Sequence, residues 1–249
     1  YGIILVSGPT GAGKTTTLYA ALNSLDESER NIITVEDPVE YRFSNINQIQ
    51  VNPRAGLTFA SGLRSILRLD PDVILIGEIR DAETANIAIQ SALTGHLVLS
   101  SIHANDTIGV VLRLVDLGVE PFLVASVLIG VIAQRMARRI CPNCARFIDA
   151  SPEETLVYAQ QIGEERKEFL YGAGCKSCAG SGYRGRTGIF EILTSTDALK
   201  TMLLKGATAN ELRDKAIEQG MITLLKDGMK KVQQNVTTPT EVLRNAYSM

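Results

Sequence analysis

The 249-residue chain has no tryptophan, and aromatic residues make up only 5% of it. Surfaces that hold single-stranded nucleic acid stack bases on aromatic rings, so this scarcity weighs against such a partner. Charge of one sign is also lacking. Twenty-five Lys and Arg stand against 27 Asp and Glu, a net charge of −2, which argues against a general nucleic-acid-binding surface. No apolar run reaches the ~20 residues that a membrane helix needs. The longest lies near Phe122–Ala133 and is expected to belong to a core helix. No signal peptide is expected. Position 1 is Tyr rather than Met and sits almost inside a strand, so the sequence is expected to be a piece of a longer protein. Cysteine is limited to four residues in two C-x-x-C pairs, with none left over. At 45% hydrophobic and 21% charged, a chain this long builds a core without disulfide staples.

What is present is a phosphate loop. Gly8-Pro9-Thr10-Gly11-Ala12-Gly13-Lys14-Thr15, followed by Thr16, fits G-x-x-x-x-G-K-[ST]. The apolar run Ile3–Val6 leads in as a buried strand, and a helical stretch from Thr15 to Leu25 leads out. That context gives the pattern a mechanism. Glycines let backbone N–H groups converge on phosphate oxygens, and the helix start adds positive potential. Lys14 is expected on the β- and γ-phosphates, and the Thr15 hydroxyl on Mg²⁺.

The rest of the chain supplies candidate partners for that loop. A polar loop is expected over Asp26–Asn31, then a buried strand Ile32–Val35 ending in Glu36-Asp37-Pro38. Acids at the carboxyl end of a strand next to the phosphate loop lie where open parallel sheets bind ligands. Val39 to Val51 alternates apolar and polar residues and is expected to form an antiparallel hairpin. Thr58 is expected to cap a helix to about Leu69. Asp72–Glu78 reads as a central buried strand that delivers Glu78 to the metal or to the attacking water. A helix opening at Ile79-Arg80-Asp81 should run to Leu93, with Arg80 facing Glu36, Asp37 or a neighbouring subunit. The chain's only histidines, His96 and His103, flank one strand. His103 is expected to contact the γ-phosphate or orient water. His96 is read equally as a contact or as a structural hydrogen bond.

Asp106 is expected to cap a helix that Gly118 ends. One long helix is expected from Pro121 to about Ile140, its closing arginines (Arg135, Arg138, Arg139) suiting the C-terminal dipole or a partner contact. Cys141, Cys144, Cys175 and Cys178 give four thiolates for one tetrahedral Zn²⁺, a redox pair being the alternative. Arg186–Leu193 reads as a returning strand and Thr196 to Met249 as helical, with Thr208, Thr237 and Thr240 as caps. The reading is an α/β protein in three parts: a P-loop core over 1–140, a tetracysteine zinc-binding module over 141–185, and a helical module over 186–249.

Together these stretches make the chain resemble the ATPases of type II secretion and type IV pilus assembly. The resemblance covers nearly the whole chain. It rests on the loop Gly8–Thr17, the acidic box Ile33–Glu40, the stretch Leu69–Asp81, the histidine box Thr94–His103, and Gly182–Glu191 after the second cysteine pair. Ala12 and Ala104 stand where Ser and Thr are common. The resemblance implies a RecA-like core with a mainly parallel sheet, a homohexamer hydrolysing ATP in the cytoplasm, and peripheral docking on an inner-membrane platform protein. It also implies an N-terminal domain supplying arginine fingers. It favours pilus assembly or secretion over retraction, since retraction motors generally lack the cysteine module. Of the two acids, Glu36 is the expected general base, with Glu78 on the metal shell or a water. A nucleotide-gated scaffold and a nucleic-acid translocase are the rival readings, and service in DNA uptake stays open.

Overall fold

Short β-branched runs alternate with amphipathic stretches through the first half of the chain, and they become strands and helices in turn. The computed structural model describes residues 1–25 and 29–247; Asp26, Glu27 and Ser28 of the expected polar loop lie outside the described residues. The elements up to residue 140 are β1 (Gly2–Ser7), α1 (Lys14–Asn23), β2 (Ile32–Glu36), β3 (Asn47–Gln50), α2 (Phe59–Ile66), β4 (Val73–Ile79), α3 (Ala82–Leu93), β5 (Leu97–Ile102), α4 (Thr107–Asp116), α5 (Pro121–Val127) and β6 (Leu128–Ile140). There follow β7 (Ala145–Asp149), α6 (Pro152–Ile162), β8 (Glu168–Gly172), β9 (Tyr183–Thr194), α7 (Asp197–Leu204), α8 (Ala209–Glu218), α9 (Leu224–Gln233) and α10 (Pro239–Tyr247).

The chain forms two units, one of Tyr1–Ala133 with Ile192–Met221 and the other of Gln134–Glu191 with Ile222–Met249. This cuts across the three-part division expected from sequence, because the C-terminal helices are shared: α7 and α8 belong to the first unit, α9 and α10 to the second.

The first unit is an α/β layer structure on parallel strands in the order β3-β2-β4-β5-β1-β6, the last of them counted to Ala133. Strands β4, β5, β1 and β2 are buried on both faces, as parallel strands covered by helices must be. Along β4 the side chains alternate. Ile74 and Ile76 join one core with Leu63, Ile66, Ala88 and Leu114 of α2, α3 and α4. Val73 and Leu75 join the other with Leu18 and Leu22 of α1. On β2, Ile33 and Val35 face the first core. The alternation therefore turns Ile32, Thr34 and Glu36 to the α1 side, where Ile32 packs. The expected caps at Thr58 and Asp106 are present, as is one at Asp81: their side chains accept from Ser61 N, Gly109 N and Thr84 N.

Three expectations need correction. Val39–Val51 is no antiparallel hairpin. The only strand there, β3, runs parallel to β2, with Ile33 opposite Asn47 and Glu36 opposite Gln50. Nor is 121–140 one helix. It breaks after Val127, and β6 continues as the parallel neighbour of β1. Gly130 marks the reason: a Cβ there would lie 2.8 Å from the Leu193 carbonyl oxygen, so the close approach needs glycine. Arg135, Arg138 and Arg139 accordingly sit on a strand, with no helix dipole to serve. Finally, the cap of α10 is Thr238, whose hydroxyl accepts from Glu241 N. Thr237 instead donates to the Arg138 carbonyl, and Thr240 to Glu154.

In the second unit β7 and β8 pair antiparallel from Ala145–Gly172 to Asp149–Glu168. Tyr158 of α6 and Phe169 of β8 form its buried aromatic pair, centroids 5.0 Å apart. Glu241 of α10, buried, receives Arg138 in a bidentate pair at 2.8 and 3.1 Å, and that guanidinium lies 4.1 Å over the Tyr183 ring.

Candidate functional site

The loop between β1 and α1 bends through left-handed backbone at Gly11 (φ 78°) and Gly13 (φ 86°). Side chains other than glycine avoid that region. Gly13 occupies the N-cap of α1 with no side-chain cap, and no acid stands in the first turn. No side chain therefore occupies this helix start, whose positive end suits an anion. Thr15 and Thr16 are exposed at that end. Lys14 Nζ folds back over the loop, donating to the carbonyls of Gly8 at 2.8 Å and Pro9 at 3.1 Å.

Glu78, near the end of β4, meets this loop. Its side chain is 14% exposed; Oε1 pairs with Arg80, and Oε2 lies 3.5 Å from His103 Nε2. Burial works to raise the carboxyl pKa, but the Arg80 guanidinium, with His103 and Lys14 adding positive charge, outweighs it and holds Glu78 below its ordinary value. The structure therefore brings Lys14, Glu78 and His103 together. Arg80 pairs with Glu78 rather than with Glu36, while Asp37 contributes to its electrostatic environment. The Glu78 carboxylate and the exposed Thr15 hydroxyl are hard oxygen donors of the kind that Mg²⁺ takes.

Glu36 sits differently. It is 3% exposed and accepts three hydrogen bonds, from Thr34 Oγ1 at 2.5 Å, Gln48 Nε2 at 3.1 Å and the Tyr19 hydroxyl. Burial, then the bond to Glu36, pushes the Tyr19 phenol up to about 12. His96 is at the opposite end of β5 from His103, where its Nδ1 meets the Ser91 carbonyl at 2.8 Å and Thr94 Oγ1 at 3.1 Å. It has the structural hydrogen bond.

Sequence reasoning missed the side chains that hold these parts in register. Ser7 Oγ donates to the Ala104 carbonyl at 2.6 Å and accepts from Ala104 N, tying the residue after His103 to the start of the loop. Ser100 and Ser101 donate to the carbonyls of Ile76 and Gly77, at 2.8 and 2.7 Å, just before Glu78. The available signal was hydroxyls at consecutive positions of an otherwise aliphatic strand, a costly choice unless each finds a partner.

In the second unit the four cysteine sulfurs lie within 4.8 Å of one another. Cys141–Cys175 and Cys144–Cys178 are 3.9 Å apart, and Cys175–Cys178 3.7 Å. A tetrahedron with metal–sulfur bonds of about 2.3 Å has edges of about 3.8 Å, whereas a disulfide requires about 2.05 Å. The donor set and its spacing fit one zinc ion. Backbone N–H groups of Cys175 and Gly182 point at Cys178 Sγ, at 3.2 and 3.3 Å; the first of these leads in drawing that thiol down to about 6. Gly172 and Gly182 cross so closely that a Cβ on either would strike the other's carbonyl oxygen. This is how glycine lets the chain close around the cluster.

Comparison with known proteins agrees with this architecture. Residues 1–244 match the family described as type II/IV secretion system protein. The chain is 51% identical to the type II secretion system ATPase E of Vibrio cholerae, covering 98% of this chain and 48% of that protein. It is 49% identical to the type IV pilus assembly ATPase PilB of Myxococcus xanthus, covering 98% and 44%. The chain thus spans about half the length of the curated relatives it matches. Among solved structures, the pilus retraction motor PilT with bound ADP superposes with TM-score 0.74 at 28% identity, covering all of this chain and 62% of that one. The Legionella pneumophila ATPase DotB shares the fold, with TM-score 0.70 at 23% identity, covering 97% and 59%. The chain belongs to the type II/IV secretion system protein family.

Proposed function

We propose that this chain is the nucleotide-hydrolysing part of a motor that powers type IV pilus assembly or type II protein secretion, working as a homohexamer at the cytoplasmic face of the inner membrane against a platform protein. The observation that carries the reading is the convergence of Lys14, Glu78 and His103 on the uncapped start of α1. Relatives named for secretion and pilus assembly, at 49–51% identity, support assembly or secretion over retraction; the retraction motor stands at 28%.

In this reading the backbone of Gly8–Thr16 and the head of α1 bind the triphosphate of ATP. Lys14 exchanges the Gly8 and Pro9 carbonyls for the β- and γ-phosphates. The Thr15 hydroxyl and Glu78 would hold Mg²⁺, which supplies neutralisation of phosphate charge. Glu78, kept ionised chiefly by Arg80, also orients the attacking water. His103 addresses the terminal phosphate. Glu36 acts as general base once it exchanges one of its three hydrogen bonds for a water. Cys141, Cys144, Cys175 and Cys178 would hold a closed structural Zn²⁺. Loss of the terminal phosphate removes the contacts of His103 and Glu78. Through Ser7 and Ser101 that change reaches the loop and strand ends.

Steady-state phosphate release by the full-length protein tests this, with nucleotide binding measured in parallel. Glu78→Gln should bind ATP and release phosphate at least about a hundredfold more slowly. Release at the wild-type rate would refute the role given to Glu78.

A further inference from the structure

The second unit contains a cavity of about 510 Å³ that none of the proposed chemistry uses. Two arginines open onto it, Arg139 near the end of β6 and Arg184 at the start of β9. Strand alternation explains why they meet. Their neighbours Arg138 and Tyr183 stack on each other, and Arg138 is neutralised by Glu241. Residues one further along each strand point the opposite way. Arg139 and Arg184 therefore share the other face, and neither forms an ion pair among the described residues.

The rest of the lining fits an anion with an apolar neighbour. Among the described residues no carboxylate lines the cavity. Gln234 and Asn235 add side-chain amides, and the Asn235 oxygen is already taken by Arg166 at 2.7 Å, which leaves its amide N–H groups as donors. Ile140, Pro142, Leu170 and Val236 form an apolar wall. The backbone amides nearby are committed: Ile140 N to Val236 O, Gln234 N to Lys230 O, Asn235 N to Val232 O and Val236 N to Lys231 O. There is no N–H cradle of the kind that receives phosphate at the glycine loop. The unit as a whole is basic, with 13 Lys and Arg against 9 Asp and Glu, while the other unit has 12 against 18.

We propose that this cavity is a docking site for an acidic, apolar-flanked peptide segment of a partner protein. One carboxylate lies between the forks of Arg139 and Arg184, which match its planar geometry, and the adjoining aliphatic side chain rests on the Ile140–Leu170 wall. Two uncompensated guanidiniums facing one cavity repel each other, and an entering carboxylate relieves that cost. The site uses no residue of the nucleotide chemistry, so it stands or falls separately from the function proposed above.

Fluorescence anisotropy on the full-length protein tests it, with a fluorescein-labelled peptide of alternating Glu and Leu as the probe. The peptide should bind, more weakly as salt rises, and its counterpart with Gln for Glu should not. Arg139→Gln with Arg184→Gln should weaken binding about tenfold or more, and Arg54→Glu on the other unit should leave it unchanged. Unaltered zinc content and circular dichroism show that the double variant is folded; if it is not, Arg184→Gln alone carries the test, with about a threefold loss expected. No binding by the wild type, equal binding by the folded variant or by the Gln peptide, or displacement by millimolar inorganic phosphate would overturn the proposal. The last of these would mark a simple anion site instead.

Discussion

The glycine loop of the first unit and the cysteine cluster of the second are both short, glycine-punctuated turns, yet they work in opposite ways. In the loop the backbone is the binding group. Gly11 and Gly13 take left-handed backbone, while the partners Glu78 and His103 come from strand ends more than sixty residues away. In the cluster the side chains would be the ligands, and the backbone supports them. Four sulfurs converge within 4.8 Å, and N–H groups of Cys175 and Gly182 point at one of them. The cluster is closed by its own residues. The loop stays exposed at Thr15 and Thr16 and depends on the register of a whole sheet. In the function proposed above, the difference separates a site that would hold a unit together from one that would change during a nucleotide cycle.

If that contrast is right, the two sites should fail in different ways. Lys14→Ala should reduce ATP turnover by about a thousandfold or more while leaving thermal stability close to wild type. A stable protein with normal turnover would remove the loop from the chemistry. Removing zinc with a chelator, or Cys178→Ser, should destabilise the second unit by at least about 3 kcal/mol, measured by denaturant unfolding. Nucleotide affinity should change by less than about twofold. A large loss of ATP binding on zinc removal would erase the separation drawn here.

Arg138→Leu sharpens the contrast within the second unit. It leaves the Glu241 carboxylate, which is only 1% exposed, with Arg244 at 2.8 Å as its remaining ion-pair partner. The loss should be about 2 kcal/mol, less than for a fully buried pair because Arg138 is itself 42% exposed. Burial raises the Glu241 pKa, but the bonds from Arg138 more than offset it, and the net shift is downward. The stabilisation is therefore present above the ordinary carboxylate value of about 4.3 and is lost as pH falls through the depressed one. Wild type and variant should converge in stability at low pH. The smallest effect is expected from Arg80→Gln. Burial acts to raise the Glu78 pKa and Arg80 is the main counterweight, so the acid limb of the rate profile should move to higher pH. A limb that stays in place would mean that Arg80 does not tune Glu78.

Sequence and structure agree best where a local rule left one solution. Gly8–Thr15, the aliphatic run into Glu78, and the caps Thr58 and Asp106 are local chemistry, and each sits where expected. The stretch 121–140 failed because an apolar run followed by arginines satisfies a helix or a buried strand equally well. What decides is the empty place beside β1, and only Gly130 hinted at it. Val39–Phe43 failed for a related reason. Its aromatic alternation serves a cluster with Tyr19, centroids 5.1 and 5.3 Å apart, rather than a ladder. The hydrogen bonds of Glu36 to Tyr19 and Gln48 were invisible because they join three elements through side chains. The meeting of the cysteine pairs was legible because thiolates at C-x-x-C spacing have few other uses.

The most direct test is a structure of the full-length protein with Mg²⁺ and a non-hydrolysable ATP analogue. The account predicts phosphate density along Gly8–Thr16, Lys14 Nζ moved from the Gly8 and Pro9 carbonyls to the β- and γ-phosphates, and Glu78 and His103 facing the terminal phosphate. Nucleotide bound elsewhere, or Glu78 turned away with Lys14 still on its carbonyls, would contradict it.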